Sequence, residues 1–376
     1  MTLAADPPCR DHRDTAGVAV VFFARWRTGG AIFGATGLAV LLLAVLLASP
    51  LAGCSGPEPW RLSGATMGTS YSIVVAAPPE GLSRERLAAD IDAELRAVNR
   101  QMSTYRADSE LSRFNRQTGA DWFPVSAELV ALVAEARRIG ELSGGAFDVT
   151  VGPLVNLWGF GPGQHAGRDK PPAQAEIDAA LARSGAASLS LQRAPPALAK
   201  SQPELYVDLS AIAKGHGVDR VAALLEEVGI LDYLVEIGGE LRSRGQSPRG
   251  DAWRLAVEKP TRGERAVQQV IAVGDAAVAT SGDYRNYFER DGVRYSHTID
   301  PRDGRPIRHA LASVTVVQPR AARADALATA LLVMGPRDGL ALAQRLQLPA
   351  YFVIKGEAGF ETAYSDAFKP LMIGED

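Results

Sequence analysis

The sequence predicts an α+β fold, with mixed or antiparallel sheets and packed helices forming two interlocked lobes of one domain. Three observations carry this. Strand-like runs outnumber helical ones, the two do not alternate as a doubly wound sheet requires, and no repeat of roughly 20–50 residues is present. With 376 residues, 47% of them hydrophobic, the chain can bury a sizeable core. A net charge of −3 leaves no basic surplus for nucleic acid, and 22% charged residues exclude wholesale disorder. Two cysteines exclude a disulfide framework and a thiolate metal cluster.

In chain order, residues 31–48 come first, an uncharged run preceded by Arg25 and Arg27. A basic flank before an apolar run is a secretory-signal pattern. Leu51-Ala52-Gly53-Cys54 at its end resembles a bacterial lipobox. On that reading residues 1–53 are a leader, and Cys54 is lipidated and holds the mature chain at a membrane surface. The alternative is an uncleaved anchor with Cys54 as a bystander. Both place the body outside the cytoplasm. The stretch before Arg25 is long for a signal and suggests a misassigned start codon. Removing residues 1–53 takes away four Arg and three Asp, giving a net charge of −4 and a body without cysteine after Cys54. Cysteine catalysis is thereby excluded.

Residues 54–62, with two prolines, are expected to be a linker to a catalytic domain over 63–376. Residues 71–76 read as a strand. Ser83 caps an expected helix whose apolar positions Leu87, Ile91, Leu95, Val98 and Met102 recur every three or four residues. A second helix starts at Ser126, carries Leu129, Leu132, Val133, Ala136 and Ile139, and stops at Gly144 or Gly145. Residues 161–175 and 194–203 cluster Pro, Gly and Gln and read as surface loops. Strands are expected at 204–208, 232–237, 252–258, 269–273, 276–280, 293–299, 311–317 and 350–354, and helices near 216–228, 323–334 and 337–346.

No GxxxxGK[ST] loop, HExxH pair or G-x-S-x-G elbow is present, and the five histidines are scattered. The run Gly159-Phe160-Gly161-Pro162-Gly163 fails as a dinucleotide fingerprint because Pro162 spoils a strand-to-helix turn. Several stretches do pack glycine, hydroxyls and charge between apolar runs, where backbone can approach a ligand closely. Asp325 and Thr329 lie four apart near a helix start, so their oxygens share a face and suit Mg²⁺ rather than zinc. A helix-start aspartate near the dipole is the ordinary alternative. Lys214, before Gly215, can pair with phosphate or simply be solvated. His297, ending a strand before a proline turn, is a general-base candidate or a structural histidine.

Taken in order, MGT, GGAFDVTVGPLVNLWGFGP, DLSAIAKG, EIGGE, ATSGDYRNY, HTIDP with GRP, and ADALATA resemble the FAD:protein FMN transferases, the ApbE flavin-transferase lipoproteins. The resemblance spans about Gly64 to Gly335. It implies FAD as donor substrate, with flavin contacts at Met67, Tyr105, Ala146, Phe147, Asp148, Asp208, Lys214 and Ile299. It also implies Mg²⁺ on the Ala211 carbonyl, Asp325 and Thr329, with His297 as the catalytic histidine. The implied reaction moves FMN to a Thr or Ser hydroxyl of a partner and releases AMP. Implied acceptors carry D-x-x-[ST]-G-A-[ST] in membrane redox complexes, and the implied setting is a bacterial lipoprotein facing the periplasm. Ser63-Gly64-Ala65-Thr66 matches the end of that acceptor pattern, but Trp60 replaces its acidic residue, so self-modification is not expected. The alternatives are Mg²⁺-dependent FAD hydrolysis to FMN and AMP, or an FAD-binding lipoprotein without turnover.

Overall fold

A computed structural model describes residues 58–162, 168, 170–261, 266–284 and 287–374. The leader, Cys54, His165 and Arg285 lie outside the described residues. Strand β1 (Trp60–Thr66) begins inside the stretch read as a linker and contains the Ser63–Thr66 match. It turns at Met67 and Gly68, both at positive φ (50° and 72°), into β2 (Thr69–Val75). Along β2, Tyr71, Ile73 and Val75 are buried on one face and Val74 on the other, so both faces of this sheet are covered.

Three short strands follow: β3 (Phe123–Pro124), β4 (Leu189–Arg193) and β5 (Pro196–Lys200), which form their own sheet in the order β3-β5-β4. The long sheet continues with β6 (Tyr233–Ile237) and β7 (Glu240–Arg244). Next come β8 (Trp253–Glu258), β9 (Val267–Val273), β10 (Ala276–Gly282), β11 (Tyr287–Arg290), β12 (Val293–Ser296), β13 (Ile299–Asp300) and β14 (Arg305–Pro306). The last are β15 (Leu311–Gln318), β16 (Ala350–Gly356), β17 (Gly359–Tyr364) and β18 (Met372–Ile373). Eight of these form one antiparallel sheet, in the order β1-β2-β6-β7-β10-β15-β16-β17.

Helices cover one face of that sheet. Ser83 caps α1 (Arg84–Met102) and accepts from the Arg86 N–H, and the five predicted apolar positions are its buried stripe. Two short helices, α2 (Glu110–Arg116) and α4 (Gly152–Leu157), flank α3 (Ala127–Leu142), which Ser126 caps as the sequence predicts. After α5 (Gln174–Leu181) come α6 (Ala213–Glu227) and α7 (Ala321–Arg345). As expected, α7 is two helical stretches, parted by non-helical backbone at Gly335 (φ 82°) just before Pro336. On the opposite face, Val74, Val278, Val317 and Val353 meet Trp253, Leu255 and Ile271 of the three-stranded sheet β18-β9-β8. The result is a three-layer α+β body.

Three expectations need correction. Residues 194–203 are not simply a surface loop, because they hold β5, whose Leu198 is fully buried at the centre of the small sheet. Pro195 and Pro196 at its start, and Pro203 three residues past its end, hid the strand in the composition. Residues 204–208 form no strand, with Glu204 in a turn and 205–208 in no ladder: the Asn115 side chain takes a strand's place, accepting from the Val207 N–H and donating to its carbonyl, both at 2.8 Å. The run 293–299 divides into β12 and β13, with His297 and Thr298 between them.

Candidate active site

The site begins where α6 and α7 start side by side. A Cβ on Gly215 would lie 2.3 Å from the Ala321 carbonyl oxygen, so only glycine allows this approach. Gly215 is the third residue of α6, so its N–H has no acceptor within the helix. Here it donates to Asp325 Oδ2 at 3.0 Å, and among the described residues no donor reaches the Ala211 carbonyl. The converse tie comes from α6: the Asp219 carboxylate accepts from the N–H groups of Ala321 (2.9 Å) and Ala322 (3.1 Å), capping α7. Each helix start is therefore held by the other helix's carboxylate. One turn after Asp325, Thr329 Oγ1 sits 3.0 Å from Ser281 Oγ on β10.

Buried ionisable groups crowd this junction. The Lys214 ammonium lies 2.5 Å from Glu240 Oε1. Burial works against its charge, but Glu240 and then Asp325 outweigh this and keep it protonated. Glu240 is pushed up to about 8, chiefly by burial; Lys214 opposes the shift and Asp325 adds to it. Its Oε2 is buried with no partner among the described residues. Asp325, 2% exposed, is also raised, by burial first, against Lys214 and the Gly215 N–H. One lysine thus faces two buried carboxylates, while Glu236, also buried, adds to the field at Lys214. Among the described residues no three His, Cys, Asp or Glu side chains gather to cage a metal. The donors offered instead are an open carbonyl, a carboxylate and a hydroxyl. An oxygen-only set fits Mg²⁺, which keeps part of its shell for water and phosphate oxygens.

The remaining predicted residues fall into two groups. Met67 reaches this junction: a Cβ on Gly217 of α6 would come within 2.8 Å of its Cε, and one on Gly238 within 3.3 Å of Lys214 Cδ. Asp208 Oδ1 accepts from the Ser210 N–H (2.8 Å) and hydroxyl (2.6 Å), and Asp148 Oδ1 accepts likewise from Thr150 (2.8 and 2.7 Å). The Asp208 N–H to Val149 carbonyl bond (2.7 Å) joins these two turns. Tyr105 is 70% exposed and its hydroxyl donates to the Phe160 carbonyl at 3.4 Å. Partial desolvation of that hydroxyl, then the Asp208 carboxylate, pushes the phenol up. The His297 ring stands edge-on to Phe160, centroids 6.3 Å apart. Ala146, Phe147 and Ile299, in contrast, put their side chains into the core.

A cavity of about 460 Å³ opens beside Gly145, Phe147 and Asp148, with Arg137 and Glu141 of α3 on its wall. Asp325, Lys214 and His297 do not line it. Glu240 and Ser281 lie within the EIGGE and TSGD runs, but nothing in the sequence alone marks them out. Asp219, Asn115 and Phe160 carried no signal, because each acts through backbone that is distant in the chain.

A model of the ApbE family matches residues 67–352. The chain belongs to the ApbE family. It is 51% identical to the FAD:protein FMN transferase of Vibrio cholerae, over 89% of this chain and 98% of that protein. The FAD:protein FMN transferase of Haemophilus influenzae is 44% identical, over 88% and 96% respectively. Among solved structures, flavin transferase ApbE from Vibrio cholerae superposes with a TM-score of 0.78 at 50% identity, covering 84% of this chain and 99% of that one. The apo flavinyl transferase ApbE of Pseudomonas stutzeri gives 0.76 at 41%, covering 84% and 98%. This ApbE member shares the α+β architecture of those structures.

Proposed function

We propose that this ApbE protein moves the FMN moiety of FAD onto a Thr or Ser hydroxyl of a partner protein and releases AMP. The observation that carries the reading is the α6–α7 junction, where the Ala211 carbonyl is left open beside buried Asp325 and protonated Lys214. Ala211, Asp325 and Thr329 would hold Mg²⁺, which supplies neutralisation of the diphosphate charge. Lys214, fixed by Glu240, adds a cation that does not titrate near neutrality. The glycine turns at 67–68 and 238–239 let backbone approach the ligand, and Tyr105 offers an exposed ring at the other side. The acceptor hydroxyl oxygen bonds to the FMN phosphorus as the phosphorus–oxygen bond to AMP breaks. His297 takes the hydroxyl proton.

The acceptors expected are membrane redox proteins carrying D-x-x-[ST]-G-A-[ST], reached from a lipid anchor at Cys54 on the periplasmic face. The reading is supported by the order of the motifs and by the names of the relatives. The test combines the full protein with FAD, Mg²⁺ and an acceptor domain bearing that pattern, and weighs the acceptor by mass spectrometry. An added FMN with AMP released, lost on chelation, is the expected result; AMP without acceptor labelling would mean hydrolysis instead. His297→Ala should slow transfer by about 10²–10⁴-fold while FAD still binds. Labelling at the wild-type rate would remove His297 from the role.

A further inference from the structure

We infer that Lys200 is a positioning residue for the flavin-facing wall, holding the Tyr105 and Asp208 segments against one another from beneath the site. This rests on the flavin-transfer reading above. Lys200 ends β5 and is 2% exposed. Its ammonium donates to the Asn115 carbonyl (2.8 Å) and the Leu205 carbonyl (3.1 Å) and lies 5.5 Å from the Phe114 ring centre. Among the described residues no carboxylate pairs with it, and burial pushes the amine down to about 8. A buried cation solvated by two carbonyls is costly, so its role lies in what those carbonyls belong to.

Both lead to the site. Asn115 stands in the last turn of α2, and the start of that helix is tied back to the Tyr105 segment: the Ser109 and Ser112 hydroxyls donate to the Ser103 carbonyl at 2.6 and 3.1 Å. Leu205 opens the irregular segment that joins no ladder and ends at Asp208. That segment is held by the Asn115 side chain at Val207 and by the Val149 carbonyl at the Asp208 N–H. Tyr206 packs so closely on Gly152 that an added Cβ there would meet its ring at 2.3 Å. The lysine fixes both ends of this arrangement: it holds Asn115, whose side chain stands in for the missing strand at Val207, and Leu205, which leads to Asp208. An apolar side chain would fill the volume but leave two buried acceptors without donors.

The test measures FAD binding to the full protein by fluorescence titration, beside transfer kinetics and thermal melts, for Lys200→Met, Asn115→Ala and the double variant. Leu255→Ala, in the distant three-stranded sheet, serves as the control for simple destabilisation. We expect Lys200→Met to raise Kd and KM for FAD about tenfold or more, with kcat at saturating FAD within about twofold. Asn115→Ala should act in the same direction, and the two effects should not add, since both work through one segment. Unchanged FAD affinity in a folded Lys200→Met, whatever its melting temperature, overturns the inference. Should that variant fail to fold, Asn115→Ala decides alone: weaker binding supports the inference and wild-type binding overturns it. Wild-type protein that binds no FAD would instead overturn the flavin-transfer reading.

Discussion

At the scale of single residues, the fold keeps its ionisable groups in unusual states. His216 lies in the first turn of α6, 6% exposed, and burial pushes it down to about 4 against the pull of Asp219. The folded protein therefore keeps this ring neutral, while the unfolded chain protonates it below about pH 6.5. A base with a depressed folded value contributes stability that is complete above the unfolded value. That stability is lost as pH falls from about 6.5 to about 4, amounting to about 3 kcal/mol. Chemical unfolding of His216→Gln beside wild type should show that the difference in free energy changes across this window. Parallel curves would assign the acid limb to other groups. Asp325→Asn keeps the shape of the side chain but removes a charge from the junction, and should lower Mg²⁺-dependent AMP release at least a hundredfold, on the order of one lost electrostatic contact. A Mg²⁺ titration by calorimetry would report the same loss without turnover. That Asp325 and Thr329 share a helix face was legible from spacing, because four residues on a helix is about one turn, whereas their role as metal ligands was implied only by the family resemblance. Glu240 was not legible, because its importance comes from Lys214 and Asp325, distant in the chain.

At the scale of elements, the crossing of α6 and α7 rests on a single hydrogen atom. Gly215→Ala drives a methyl against the Ala321 carbonyl, so we expect a cost of about 1–3 kcal/mol and weaker Mg²⁺ dependence together. Gly274→Ala, with open space around the added carbon, should change stability by less than about 0.5 kcal/mol. Comparable melts for the two would show that the helices can slide apart at no cost. The helices themselves were easy to read: Ser83 and Ser126 cap where the pattern starts, and apolar residues at three- and four-residue steps form the buried stripes. Short elements were harder. α2 has seven residues and α4 six, fewer than two full turns, so neither shows a period in the sequence.

At the scale of the whole molecule, the eight-stranded sheet divides the labour. Its helical face carries the α6–α7 junction, and its other face carries the three-stranded sheet β18-β9-β8. Leu255→Ala, 5% exposed in that far layer, should cost about 2–5 kcal/mol of stability while folded protein keeps its kcat/KM. A matching fall in kcat/KM would mean that the layers are coupled. Chain order alone determined the fold class, the long helices, the ApbE motifs and the oxygen pair on α7, because these are set by periodicity or by residues close together in the chain. The tertiary structure alone decided that Gly215 gives its N–H to Asp325 and that, among the described residues, no donor reaches the Ala211 carbonyl. It also decided that Asn115 and Lys200 complete an irregular segment without a strand, and that one lysine faces two carboxylates. The reason is physical: hydrogen bonding and burial depend on which groups meet in space, and those meetings join positions more than a hundred residues apart, such as Gly215 and Asp325.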